Sequence, residues 1–305
     1  MMNLNRIFKN ERLMLSLTGL NSKEFKAMLP TFSAVWQSKK RNYYRLHATG
    51  ARAFGGGRKG FLPTVEDKLF YVLFYYKCYP TFDLAGFIFG CDRSKACLRQ
   101  QELSKILESS LGKKLVMPKR QMRTIEEFFQ AFPEAKEVFI DGTERPTQRP
   151  KDKEKQKSSY SGKKKRHTVK NIVITGKNKR IGFLGKTVGG KEHDFTILKE
   201  QASPDHMPPK IKKHVDLGFK GIDKQFPGHK ISMPKRKPRI KDLSEFAVKQ
   251  NEKKSSARVL VENALAGVKR LRIVADIFRN RKKGFNDQAM LVSCGLWNYH
   301  LAMKW

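Results

Sequence analysis

Val138-Phe-Ile-Asp141-Gly-Thr143 is an apolar run that ends on an aspartate and a glycine, the pattern of a short buried strand delivering a carboxylate at its tip. His214-Val-Asp216-Leu-Gly-Phe219 repeats that pattern farther along. Between the two, Thr168 to Thr175 and Arg180 to Val188 read as strands joined by a turn at Gly176-Lys-Asn178, so three adjacent antiparallel strands are expected. Asp194 opens a helical stretch carrying Phe195, Ile197 and Leu198, where it has the placement of an N-cap. Lys230-Ile-Ser-Met233 reads as a fifth strand, and helices follow.

The first of those helices holds a third acid. In Arg258-Val-Leu-Val-Glu262-Asn-Ala-Leu-Ala-Gly-Val-Lys269 the charged residues fall at i, i+4 and i+11 beside Val259, Leu260, Val261, Leu265 and Val268. Residues four and seven apart lie on neighbouring turns, so the three form a polar stripe on an apolar helix. The order strand, strand, strand, helix, strand, strand, helices is that of an α/β (α+β) ribonuclease-H-like domain, with acids on the first strand, after the fourth and on a late helix. Each acid alone also fits an ordinary role: Asp141 and Asp216 as turn residues, Glu262 as a surface acid laddered to Arg258 and Lys269. Their joint order, in a chain poor in acids, points instead to a metal site.

The chain has 305 residues, 39% of them hydrophobic with 21 Phe, enough for two or three folded domains. Its 64 Lys and Arg against 28 Asp and Glu leave a formal charge of +36, spread along the whole sequence. Such a field recruits a polyanion, and double-stranded DNA is the expected partner. The longest apolar run, Leu69 to Tyr76, falls far short of the roughly 20 residues a membrane span requires. No signal-peptide pattern opens the chain, so a soluble intracellular protein is expected. Cys78, Cys91, Cys97 and Cys294 have neither zinc-knuckle spacing nor a disulfide framework and read as reduced, mostly buried thiols.

The N-terminal part reads as helical. Asn21 and Glu24 have capping-box spacing, and Phe25, Leu29, Phe32 and Trp36 follow at helical intervals despite Pro30. After a basic stretch from Arg41 to Arg52, Gly55-Gly-Gly57 makes a break. Thr64 and Asp67 then cap a helix stopped by Pro80, Thr81 caps a short one over Phe82 to Phe89, and Gly90 turns into a third running roughly from Asp92 to Ser109. That is a helix-turn-helix pattern, whose second helix would present Arg93, Ser94, Lys95 and Arg99 to the major groove. The expected division is a helical segment over 1–58, a helix-turn-helix region over 59–117, a basic linker and connecting helix over 118–134, and the catalytic domain over 135–305. The run from Gly284 to Trp305 reads as a final helix.

Hard divalent cations select carboxylate oxygens, and two such ions can promote in-line displacement at a phosphodiester. Asp141, Asp216 and Glu262 are therefore the expected ligands of two Mg²⁺ ions, replaceable by Mn²⁺, with Asp194 the rival for second ligand. Arg258 and Lys269 would grip phosphates near the scissile bond. Two basic stretches would hold the DNA beside it: Arg145, Arg149, Lys163, Lys164, Lys165 and Arg166 after the first strand, and Lys235, Arg236 and Lys237 in Pro234-Lys-Arg-Lys-Pro-Arg239 after the fifth. No phosphate-binding P-loop is present.

These residues resemble the DDE-superfamily insertion-sequence transposases of the IS-five and Harbinger-like group. The likeness runs from about Gly55 to Leu301. It rests on Gly-Gly-Gly-Arg-Lys-Gly-Phe-Leu ahead of the helix-turn-helix, Phe-Ile-Asp141-Gly-Thr-Glu-Arg-Pro, Tyr160-Ser-Gly-Lys-Lys-Lys-Arg-His167, Gly-Lys-Glu-His-Asp194-Phe, Val-Asp216-Leu-Gly-Phe and Arg258-x3-Glu262-x6-Lys269. The last is similar to the family's Tyr-x2-Arg-x3-Glu-x6-Lys signature, except that Ser255 holds the tyrosine position. The resemblance implies metal-dependent strand cleavage at terminal inverted repeats, strand transfer into target DNA, and a homodimer or larger homo-oligomer on paired ends. The other reading is a transposase-derived DNA-binding protein that no longer cuts.

Overall fold

The computed structural model describes residues 4–47, 53–56, 60–238 and 243–304. Arg52, Gly57, Arg58, Lys59, Arg239 and Trp305, all within stretches singled out above, lie outside those residues. The chain divides into two compact units, one made of Met1–Met117, Arg270–Ile273 and Asn298–Trp305, the other of Pro118–Lys269 and Val274–Trp297.

The first unit is helical: α1 (Leu4–Phe8), α2 (Glu11–Thr18), α3 (Ser22–His47), α4 (Val65–Cys78), α5 (Phe82–Phe89) and α6 (Arg93–Lys113). The starts follow the predicted capping chemistry. Asn21 and Glu24 exchange backbone-to-side-chain bonds of 2.8 Å, Thr64 and Asp67 form a second reciprocal box, and Thr81 and Asp92 cap α5 and α6. α3 passes through Pro30 without ending, held by its buried face of Phe25, Met28, Phe32, Val35 and Trp36. Gly90 takes φ 68° at the end of α5, and a Cβ on Gly86 would stand 2.5 Å from the Cys91 carbonyl. The turn between α5 and α6 therefore needs both glycines. α6 runs on past its expected end near Ser109 to Lys113. The unit is closed by distant sequence: Asn298 Nδ2 donates to the Val116 carbonyl at 2.8 Å, Tyr299 Oη donates to the Glu24 carbonyl at 2.8 Å, and the His300 ring pairs with the fully buried Glu24 carboxylate.

The second unit holds α7 (Ile125–Ala131), β1 (Glu137–Pro146), α8 (Lys153–Ser159), β2 (Tyr160–Ser161), β3 (Arg166–Thr175), β4 (Ile181–Leu184), β5 (Val188–Gly189), α9 (Asp194–Ala202), β6 (Lys212–His214), α10 (Ile222–Gln225), β7 (Ile231–Ser232) and α11 (Glu245–Lys269); α12 (Arg272–Ala275) and α13 (Phe285–Ala302) follow in sequence. The strands make one mixed sheet in the order β2-β3-β1-β6-β7, with β4 and β5 also paired to β3. β1 is antiparallel to β3, with Asp141 opposite Val173, and parallel to β6, with Phe139 opposite His214. Helical N-terminal region, then mixed sheet with helices: the expected fold class holds.

Alternation along β1 sends Val138 and Ile140 into a core with Ile172, Ile174, Phe183, Ile197, Leu198 and Phe219. β1 does not end at Gly142, as the sequence suggests, but continues to Pro146 because Thr143, Glu144 and Arg145 stay paired with Asn171, Lys170 and Val169. Arg145 is consequently 1% exposed. Its guanidinium donates to Asn171 Oδ1 at 2.9 Å, Asn171 in turn donates to Thr187, and Thr187 bonds Asp287, which Arg120 grips with two bonds of 2.6 and 2.7 Å. This network corrects the assignment of Arg145 to the DNA-facing loop. A Cβ on Gly267 would lie within 2.6 Å of the Trp297 ring, so glycine there lets α11 and α13 close on one another.

Cys294 is buried, but Cys78, Cys91 and Cys97 are only partly so, less than expected. Among the described residues no helix is long and apolar enough to cross a membrane.

Candidate active site

Asp141 sits mid-strand in β1, largely out of water. Burial and the neighbouring Asp216 push its carboxyl up to about 6, with Asp194 adding to the rise; Arg258 and the Gly142 N–H, which donates to Oδ1 at 2.9 Å, oppose it. Asp216 follows β6 and caps a short 3-10 turn, its Oδ1 accepting from Gly218 N at 2.8 Å.

Asp194 is not an N-cap. His193 holds that position without a side-chain bond, and Asp194 is the first residue of α9. Its carboxylate turns toward the sheet, where Lys170 Nζ stands 3.2 Å from Oδ1. A Cβ on Gly142 would come within 2.7 to 3.0 Å of that carboxylate, and one on Gly218 would lie 3.1 Å from Asp194 Oδ2 and 2.9 Å from Asp216 Oδ1. Asp194 and Asp216 therefore meet across Gly218, both beside Asp141.

Glu262 is placed differently. On α11 it is 56% exposed and its described partner is Arg258 at 3.6 Å. Among the described residues no three of His, Cys, Asp and Glu are grouped so as to hold a metal ion. The three aspartates lie near one another, while Glu262 shares the helix whose Arg258 lowers the Asp141 carboxyl electrostatically.

Cations surround the cluster. Burial lowers the Lys269 ammonium from its usual range, with Asp141 and Glu144 raising it and Lys164 and Arg145 lowering it, which puts Lys269 between the carboxylates and the basic hairpin. Lys163, Lys164 and Lys165 form the exposed turn joining β2 to β3, with Arg166 exposed at the start of β3. Arg149 is held to Gln156 by bonds of 2.9 and 3.1 Å. Lys235, Arg236 and Lys237 are exposed, and the Lys235 backbone is pinned to Asn251 of α11 by bonds of 2.8 and 2.9 Å.

In the helical unit, Arg93, Ser94 and Lys95 are exposed on the first turn of α6, with Lys95 2.8 Å from Asp92. Arg99 departs from the expectation for this helix. Its guanidinium pairs with Glu102 and lies over the Trp36 ring, so it is engaged within the unit.

Comparison with known proteins decides the family. A family model for DDE superfamily endonucleases matches residues 140–298, and one for the helix-turn-helix of such endonucleases matches residues 61–113. The chain belongs to the DDE superfamily of endonucleases. It is 31% identical over 242 residues, 79% of this chain and 82% of the relative, to a protein of Microchaete diplosiphon described as a probable transposase for insertion sequence element IS702. No solved structure matches it.

The carboxylate chemistry of this DDE endonuclease suits a hard divalent cation, although the described acids as placed are not drawn together tightly enough to ligate one. Asp141, Asp194 and Asp216 bring like charges together in a half-buried place, where the buried Asp194 Oδ1 has the Lys170 ammonium at 3.2 Å as its counter-charge but accepts no hydrogen bond among the described residues. Arg258 Nε is likewise buried without an acceptor among them. Sequence reading passed over Lys170, the cation paired with Asp194, and the spacing role of Gly142 and Gly218. A glycine one or two residues after each strand aspartate was the available signal.

Proposed function

We propose that this DDE endonuclease is the transposase of an insertion sequence, cutting DNA at the element's terminal inverted repeats and transferring the freed strand to target DNA. The observation that carries the reading is the meeting of Asp141, Asp194 and Asp216 around Gly142 and Gly218, where burial first and the neighbouring Asp216 second push the Asp141 carboxyl up to about 6.

Asp141, Asp216 and Glu262 are the residues to hold Mg²⁺, two ions by the logic of phosphodiester displacement, with Mn²⁺ a substitute and Asp194 the alternative second ligand. Bound there, the cations favour deprotonation of the attacking water or 3′-hydroxyl and offset charge on the leaving oxygen. Arg258 and Lys269 hold the phosphate, Arg258 with a planar fork that suits two oxygens at once. Among the described residues Glu262 is held by Arg258 alone, at 3.6 Å, so rotation of its side chain would release it. Lys163, Lys164, Lys165 and Arg166 on the hairpin and Lys235, Arg236 and Lys237 beside α11 grip the backbone of the DNA, with Arg149 at the edge of the first group. The first turn of α6, with Arg93, Ser94 and Lys95, reads the terminal repeat in the major groove. A homodimer in the cytoplasm, working on paired ends, completes the proposal.

The exposure of Glu262 favours one other reading, a transposase-derived protein that binds DNA without cutting. A duplex carrying the element's ends separates the two. With Mg²⁺ the wild type should nick it, and Asp141→Asn, Asp216→Asn and Glu262→Gln should each abolish nicking while binding is retained. A wild type that binds without nicking would establish the second reading, and a Glu262→Gln protein that still cuts would remove Glu262 from the ligand set.

A further inference from the structure

The C-terminal half of α3 and the C-terminal half of α6 enclose an open groove of about 870 Å³ within the helical unit. Lys39, Arg41 and Arg45 line it from α3, and Lys105 and Lys113 from α6. The rest of the lining is small or neutral, including Ser38, Asn42 and Ser109, and no carboxylate contributes. Lys39 lies in the field of Lys105 and Lys40, with Glu102 the acid acting on it. Cations brought together with so little compensation repel one another, a cost that an anion removes.

We propose that this groove binds the phosphodiester backbone of duplex DNA, next to the stretch that the first turn of α6 contacts. The charge complementarity favours that occupant, and so does the layout of α6. Lys105 stands 12 residues and Lys113 20 residues beyond Arg93 on one continuous helix. At 1.5 Å per residue the groove begins roughly 18 Å and ends roughly 30 Å from that first turn. This is on the order of half to one turn of B-form DNA. A single rigid helix thus carries a groove-entering end and, a fixed distance away, one wall of a backbone cradle. Phosphate contacts of this kind set register and supply affinity without reading bases. The inference rests on DNA being the partner of the helix-turn-helix.

The test uses the full chain and two end-labelled duplexes bearing the element's terminus, one of about 40 base pairs and one of about 12 that stops, on the groove side, beside the stretch contacted by the first turn of α6. The triple variant Lys39→Gln/Lys105→Gln/Lys113→Gln changes exposed side chains only. On the long duplex it should bind about tenfold or more weakly at moderate salt. Its plot of log affinity against log salt should be shallower by about 2 to 3, because each lost phosphate contact removes about 0.9 from the slope. On the short duplex it should match the wild type. If the triple variant melts lower than the wild type, Ser109→Glu alone, which sets a carboxylate in the groove, should weaken long-duplex binding in the same way. Wild-type affinity and slope in these variants, with Lys95→Gln impaired, would overturn the groove while leaving the helix-turn-helix standing. The same outcome with loss of self-association in sedimentation would make the groove a protein interface. A wild type that binds neither duplex would instead remove the DNA reading itself.

Discussion

Asp141 is the residue at which the proposed metal-binding role and stability are most directly opposed. Its carboxyl stands near 6 in the folded chain against 3.8 for the free group, so the folded state holds the proton more tightly than the unfolded one. Stability from this group is therefore full below about pH 4 and falls as pH rises through 6. In metal-free protein, Asp141→Asn should raise stability at pH 7.5 by about 1–3 kcal/mol and flatten the decline between pH 4 and 7, as read by denaturant melts at several pH values. An unchanged pH profile would sink the assignment of strain to this carboxylate. Gly142 allows a second test. A methyl there would press on Asp194, so Gly142→Ala should cost about 1–3 kcal/mol alone and clearly less in an Asp194→Ala background. The acids themselves were legible from sequence because each followed a strand-like run or a helical stripe. Their contacts were not: Lys170 pairs with Asp194 across a sheet, and no local pattern announces such a partner.

At the scale of elements, capping chemistry was the most readable layer, since Asn21 with Glu24, Thr64 with Asp67, and Thr81 all act within four residues of themselves. Strand ends were less readable. β1 outruns its glycine because Arg145 finds Asn171 inside the domain, a partner 26 positions away. The basic loop after β1 contains α8 and a hairpin turn, which charge alone could not distinguish from a solvated run. Two elements carry predictions. Gly86→Ala would set a methyl 2.5 Å from the Cys91 carbonyl. It should destabilise the α5–α6 turn by about 1–3 kcal/mol and weaken DNA binding, measured by thermal melts and by duplex titration. Asp287→Ala removes the charge partner of Arg120 Nη2 and the acceptor of the Thr187 N–H and hydroxyl, leaving Arg120 its bonds to the Leu184 and Gly185 carbonyls, and should lower the unfolding free energy by about 2–4 kcal/mol in urea. A loss below about 0.5 kcal/mol would show that solvent replaces the carboxylate without cost.

For the whole molecule, the charge of +36 sets the conditions under which any sequence preference can be observed. With six to ten phosphates engaged, affinity for non-cognate duplex should fall on the order of 10³ to 10⁵ between 50 and 200 mM salt, measured by competition titration. A shallow dependence would mean that the cations are spent inside the protein, as Arg145 and Arg120 are. The distribution of charge was plain from sequence; which cations are internal was not. One further property belongs to this scale. The helical unit draws Asn298, Tyr299 and His300 onto Val116 and Glu24, so its last fastenings are made by residues translated roughly 180 positions after its main body. At ~5–20 residues per second a ribosome needs on the order of 10–40 s to cover that interval. During it the DNA-reading helices exist without their clasp, and a nascent chain broken off early never acquires one. Translation through residues 298–300 thus becomes a condition for a fully fastened helical unit.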